Sequence, residues 1–284
     1  MRRLLLSLLA ALLPVLGWAG APAAPARRVV SQTAGSDELL LALAGPGQIA
    51  ALSTLAWEPE YCADYREARK HPRLEGSDAE AVLRFHPDLV LMASYSRQET
   101  ILQLRRAGVK VIVFDHFDTL DEVYANLRAL GDALGARDRA EALIARCQVR
   151  VDALRRRLAG VTPVRVLAPS SYGFIAGRDT TFEDLCEHAG ALNVAAEAGL
   201  QGHAPIPSEQ VLTWKVDLLV LEGSDREAAL AHVRQTAPFK FLPAAKAGRC
   251  VLLPSALLAS VSHHRIEGYE WLARALHPER FHNP

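Results

Sequence analysis

Asp138 to Gly160 reads DRAEALIARCQVRVDALRRRLAG. Ala140, Leu143, Ile144, Cys147, Val151, Leu154 and Leu158 recur at steps of three and four, the spacing of one apolar stripe on a helix. Arg139, Arg146, Gln148, Arg150 and Arg157 fill the rest of the circumference. Asp138 with Glu141 three residues on reads as an N-terminal capping pair, and Gly160 as the stop. At about 1.5 Å per residue such a rod is roughly 33 Å long, the diameter of a small domain. It stands midway along the chain, with one α/β pattern before it and a second after it. The reading is a rigid strut between two lobes, with function in the cleft between them. An ordinary surface helix of one domain is the alternative, which the duplicated flanks disfavour.

Before the strut, Arg28–Thr33 reads as a strand and Ser36 as the cap of a helix from Asp37 to Ala44. A second strand spans Gln48–Thr54. Leu55–Gly76 is a long polar-aromatic segment holding Trp57, Tyr61, Tyr65 and the basic run Arg66, Arg69, Lys70, Arg73; a loop of that length in a compact lobe is usually functional. Ser77 caps a short helix, Asp78–Phe85, and His86-Pro87-Asp88 turns into the strand Leu89–Met92. A helix Gln98–Ala107, a strand Val109–Asp115 and a helix opened by Thr119 with Glu122 and closed by Gly135 complete this half.

The same grammar follows the strut. Strands are expected at Val164–Ala168, Leu218–Leu221 and Arg249–Leu253. Helices are expected from Thr180 or Thr181 to Ala189, from Asp225 to Gln235 and from Ile266 to Leu276, with Ser208 capping a short one over Glu209–Trp214. Ser170–Phe174, Gly199–Pro207 and Pro254–His264 read as loops. The segment Ser77–Leu91 matches Ser208–Leu221 in kind: a short capped helix, a turn carrying Asp, a buried strand. Strands alternating with helices imply parallel sheets covered on both faces, with ligands beyond the carboxyl ends of the strands. The fold class is therefore α/β, with two Rossmann-like lobes (27–136 and 161–284) and one long rigid interlobe helix (137–160).

The 284 residues are half hydrophobic and carry zero formal net charge, which leaves no bulk charge to hold nucleic acid or an anionic membrane. Met1-Arg2-Arg3, the apolar run Leu4–Leu16 and the small residues around Gly17-Trp18-Ala19 read as a signal peptide over residues 1–19, a membrane anchor being the alternative. No cysteine precedes Cys62, so a lipid-anchoring lipobox is not expected. Cys62, Cys147, Cys186 and Cys250 would then meet an oxidising compartment. They allow three pairings, of which Cys186–Cys250, within one half, is favoured.

Glu80-Ala-Val-Leu-Arg-Phe-His-Pro-Asp-Leu-Val, Pro207-Ser-Glu-Gln-Val-Leu and the strut together resemble the periplasmic substrate-binding proteins of ABC importers that carry metal chelates: cobalamin, haem and ferric siderophores. The likeness runs from Arg28 to about Leu276. It implies a monomeric periplasmic binding protein, not an enzyme, and the N-terminal reading adds export through a cleavable signal without a lipid anchor. Its partners would be an inner-membrane ABC permease and a cobalt or iron chelate, and no cofactor of its own is implied. By position Glu80 and Glu209 resemble the glutamates that dock into permease arginines, where a carboxylate–arginine fork is orientation-specific. The resemblance also places ligand contacts on the loops at the facing sheet ends: Trp57, Tyr61, Tyr65, Tyr95, His116 and Phe117 in the first half, and Tyr172, Phe174, His203 and Ser260–Arg265 in the second.

Aromatic walls suit a flat macrocycle or a catecholate, and the loop Ser262-His263-His264-Arg265 would add polar discrimination. Where the haem-binding branch carries a tyrosine ligand, seven residues before the first glutamate, this chain has Arg73. No metal-ligand spacing such as H-x-x-x-H occurs, so no metal site is assigned. A corrinoid is the preferred cargo, with a ferric siderophore or haem as alternatives. An exported hydrolase or metalloenzyme is disfavoured by the lack of a G-x-S-x-G elbow, an H-E-x-x-H pair or a P-loop; a solute sensor of the same fold is a further alternative.

Overall fold

The computed structural model of the chain describes residues 24–170 and 173–281. The signal-peptide reading and Tyr172 lie outside the described residues. Two four-stranded parallel sheets dominate. β1 (Val29–Ser31), β2 (Ile49–Ala51), β3 (Leu89–Ala93) and β4 (Lys110–Phe114) form the first, in the order β2-β1-β3-β4. Along the chain follow β5 (Val164–Leu167), β6 (Phe174–Ala176), β7 (Ala191–Asn193), β8 (His203–Pro205), β9 (Leu218–Glu222) and β10 (Cys250–Leu253). β5, β7, β9 and β10 form the second sheet, in the order β10-β9-β5-β7. Counted from its own first strand, each sheet runs 2-1-3-4, so the repeat read in the sequence is one of topology.

Strand side chains alternate between faces, and in the first sheet the core follows that alternation. Val29, Leu89 and Leu91 face one cluster, and Val30, Val90 and Met92 another. The second sheet turns Leu167, Leu219 and Leu221 to its own outer cluster. Burial on both faces is what makes these strands near-continuous hydrophobic runs.

The long helix spans Arg137–Arg157 and buries Ala140, Leu143, Ile144, Cys147, Val151 and Leu154. Those side chains belong to one cluster with Leu39, Leu43 and Leu127 of the first half and Leu185, Ile266 and Tyr269 of the second. The stripe is the seam between halves. At about 1.5 Å per residue it runs roughly 32 Å.

The expected caps at Thr119/Glu122 and Thr180 form, and Gly135 and Gly190 end their helices in the left-handed conformation. Four others are displaced. Thr33 caps the first helix, Ala34–Leu43, with Ser36 as the reciprocal member of the capping box. Asp78 replaces Ser77 as the cap of Ala79–Leu83. The long helix has no side-chain cap: it follows Gly135-Ala136 so closely that Glu141 turns to Arg128 of the preceding helix, in a two-pronged pair at 2.8 and 3.1 Å. Ser208 caps nothing, because the second short helix is only a 3-10 turn, Gln210–Thr213, with Glu209 as its flanking residue.

The favoured Cys186–Cys250 pairing is corrected too. All four cysteines are buried and free, and Cys186 and Cys250 lie in different core clusters.

Candidate functional site

The carboxyl ends of the strands carry the candidate site. In the second half, Pro169 follows β5 and Gly223–Asp225 follow β9, the two strands between which the strand order reverses. With Glu222, Ser255 and Glu60 of the first half they line a groove of about 430 Å³.

Two aromatic rims flank the junction. Tyr95 follows β3 and Phe117 follows β4, and their rings meet edge to face at 6.0 Å. Tyr95 is 66% exposed. In the second half, Ser170–Phe174 and Gly199–Pro207, read as loops, contribute an antiparallel ribbon instead. It pairs Phe174 with Pro205 and Ala176 with His203. Opposite and alternate residues of such a ribbon share a face, so Phe174 and His203 point the same way. Ile175 points the other way and is buried. The Asp118 carboxyl, one residue past Phe117, lies within electrostatic reach of His203 and Asp179. Burial and Glu122 push that carboxyl up, against Arg265 and His203.

Tyr61 is 52% exposed. Trp57 closes a 3-10 turn and lies under Arg73, whose guanidinium stands 5.5 Å from its ring centre. Arg69 donates to the Trp57 carbonyl, and the Trp57 indole N–H is buried without a partner. Arg66 and Arg69 lie over the Tyr65 ring. The basic run therefore covers aromatics, and the position of a family tyrosine ligand is filled by a cation stacked on tryptophan. His116 is exposed beside Glu122 and Asp115.

Ser262 and Arg265, expected as ligand contacts, are placed in the joint between the halves. Arg265 is 2% exposed. Its guanidinium donates to the carbonyls of Phe117, Asp118 and Ser260 and to the Asp184 carboxylate. Asp184 also accepts from the Leu120 N–H and the Tyr269 hydroxyl. Ser262 donates to Glu38 at 2.5 Å, and the other Glu38 oxygen accepts the Ala63 N–H at 2.7 Å. These groups are spent on holding the halves together and leave no donor free for a ligand.

Beside the joint, His264 sits between two carboxylates, with Nε2 2.7 Å from Asp64 and Nδ1 3.2 Å from Glu267. Burial opposes its charge, but the bonds to Asp64 and Glu267 win and hold the imidazolium to about 10. Burial works the other way on Asp64 as well, yet His264 keeps that carboxyl below its usual range. His263, packed 4.2 Å from the His264 ring, is driven down to about 4 by burial and by its charged neighbour, and its Nδ1 is buried without a partner. Asp64, His263 and His264 each offer a ligand atom, all within 4.8 Å of one another. Sequence spacing could not show this set, whose members come from opposite ends of the chain.

Glu80 lies in the first turn of Ala79–Leu83, exposed and paired with Arg84 at 2.9 Å. Glu209 is exposed too, although its 3-10 turn supplies no helix dipole comparable to that of a longer helix. Among the described residues no helix is long and apolar enough to cross a membrane.

The sequence profile of the family described as "Periplasmic binding protein" matches residues 29–257. A cobalamin-binding protein of Halobacterium salinarum is 30% identical over 162 residues, which is 55% of this chain and 43% of that protein. The match thus spans under half the length of that relative. An uncharacterized ABC transporter substrate-binding lipoprotein of Bacillus subtilis, YvrC, is 22% identical over 266 residues, covering 90% of this chain and 81% of YvrC. The periplasmic heme-binding protein RhuT from Roseiflexus sp. RS-1, in apo form, superposes with a TM-score of 0.77 at 23% identity, covering 89% of this chain and 99% of RhuT. These similar proteins are binding proteins, not enzymes.

Proposed function

Because the chain belongs to the periplasmic binding protein family, we propose that it captures a metal chelate between its lobes and delivers it to an ABC importer of the inner membrane, with a corrinoid as the preferred cargo. The observation that carries this reading is the pair of aromatic rims, exposed Tyr95 against half-buried Phe117 in the first half and exposed Phe174 beside His203 in the second. Flat faces of this kind bury a macrocycle's area with little loss of side-chain freedom. The cobalamin-binding relative favours a corrinoid, and Arg73 over Trp57 disfavours a haem held through a tyrosine at that place. Trp57, Tyr61 and His116 stand as outer contacts, and His263 and His264 as polar ones at the edge of the joint.

Docking onto the importer is assigned to Glu80 and Glu209, both exposed and both able to fork with arginine. Export proceeds through the cleavable leader, with no lipid on the mature chain; N-terminal sequencing should find a start near Gly20, and a lipidated terminus would overturn that. The chelate reading is tested by equilibrium titration of the mature protein with cobinamide, cobalamin, a ferric catecholate siderophore and haemin. Micromolar or tighter binding of a corrinoid, with the others weaker, is expected. Binding of the siderophore or haemin alone would reassign the cargo.

A further inference from the structure

We propose that Asp64, His263 and His264 form a divalent transition-metal site that bridges the two lobes, with Glu267 orienting the His264 ring from behind. His263 and His264 are also the polar contacts of the chelate reading, but the ligand here is a bare cation, and its uptake is read with no chelate present. Two imidazoles and a carboxylate are a donor set for Zn²⁺ or a similar first-row ion, three protein ligands leaving one position open.

Three features show a site prepared for a cation. First, His264 turns Nε2 to Asp64 and Nδ1 to Glu267. With a metal on Nε2 in place of the proton, the Nδ1–H···Glu267 bond is the carboxylate–histidine arrangement that fixes the tautomer and orientation of a metal-bound ring. Second, His263 Nδ1 is buried with no hydrogen-bond partner, and a ring nitrogen in that condition costs free energy that a metal bond would offset. Third, Glu38 holds both ligand-bearing segments at once. One oxygen takes the N–H of Ala63, next to Asp64, and the other takes the hydroxyl of Ser262, next to His263. Ser262 Oγ in turn accepts the His264 N–H at 3.2 Å. The ligands are thus preset from opposite halves by a single buried carboxylate, a positioning residue.

The geometry needs only small movements. Ligand bonds of about 2.0–2.2 Å in a tetrahedron place donor atoms about 3.4 Å apart. The His264–Asp64 contact at 2.7 Å would open, and the wider separations within the 4.8 Å set would close.

The test uses the metal alone. Mature protein stripped with EDTA is titrated with Zn²⁺ by calorimetry and with Co²⁺ by its visible ligand-field absorption, and its melting temperature is recorded with and without Zn²⁺. One ion per chain is expected, with a higher melting temperature on loading. His263→Ala should abolish stoichiometric binding while the apo fold stays intact, because its Nδ1 makes no hydrogen bond to lose. Asp64→Ala, or Asp64→Asn should the first not fold, should do the same. Glu267→Gln should weaken binding about 10- to 100-fold. No stoichiometric uptake by the wild type, or uptake that survives His263→Ala and Asp64→Asn, would overturn the proposal. Chelate binding with no uptake of bare metal would defeat this inference and leave the proposed function standing; the converse result would do the opposite.

Discussion

The joint and the aromatic rims lie within a few residues of each other and are built on opposite terms. At the joint, Arg265 spends its guanidinium on three carbonyls and Asp184, and Tyr269 adds its hydroxyl. At the rims, Tyr95 and Phe174 stay 66% and 49% exposed. Buried charge is tolerated only when fully paired, so the joint can hold one arrangement and little else. Exposed aromatic faces gain by being covered. Fixed spacing behind and sticky surface in front is how a stiff two-lobed binder captures a ligand with little closure.

The contrast is upset most forcefully at Arg265. Arg265→Ala leaves Asp184 buried without its cation, and removing one partner of a buried pair costs about 3–5 kcal/mol. Denaturant unfolding should show that loss. A change under about 0.5 kcal/mol, the size of ordinary surface substitutions, would show that the joint is not what fixes the lobes.

Asp37, buried within the first half, tests through pH what a buried carboxyl contributes. Burial raises its carboxyl to about 7, against its bonds to Ser53. The folded state therefore prefers the protonated acid. Its contribution is complete below the ordinary value of 3.8 and is lost as pH rises to about 7. The loss amounts to a few kcal/mol at most, since each tenfold change in acidity is worth about 1.4 kcal/mol. Asp37→Asn should flatten this part of the stability–pH curve, measured as the difference from wild type between those two pH values. Parallel curves would place the titration elsewhere.

At the rims the expected change is in affinity alone. Tyr95→Ala and Phe174→Ala should each weaken chelate binding about tenfold to a hundredfold, or ~1–3 kcal/mol. The unfolding midpoint should barely move. Equal losses of stability and affinity would mean that the rims are part of the core. Outside both regions, Glu80→Lys with Glu209→Lys should cut uptake into cells while leaving chelate affinity unchanged, each single change giving a partial effect. Full uptake by the double variant would remove the docking assignment.

Most of the fold was legible because its signals are local. The stripe from Ala140 to Leu154, the Thr119–Glu122 box and the left-handed Gly135 and Gly190 each need only a few neighbouring residues to be read. The caps fall at Thr33 and Asp78 and not at Ser36 and Ser77 because Ser, Thr and Asp cap comparably well and tertiary packing chooses among nearby candidates, whereas Ser208 precedes only a 3-10 turn with no side-chain cap. The site was less legible for a different reason. Arg265 in a polar loop reads as exposed, since its carboxylate partner is 81 residues away. His264 meets Asp64 across 200 residues. The β6–β8 ribbon, only a few residues long on each side, carries no periodicity that separates it from a loop.

Everything proposed for the rims depends on a chelate lying between the halves, against both of them. A crystal structure of the mature protein saturated with cobinamide decides that point. The corrin ring should touch Tyr95 or Phe117 on one side and Phe174 or His203 on the other, with the Arg265–Asp184 pair unbroken. A corrinoid bound to one lobe only, or lodged in the separate groove lined by Gln148, Asp152 and Arg155 of the long helix, would contradict it.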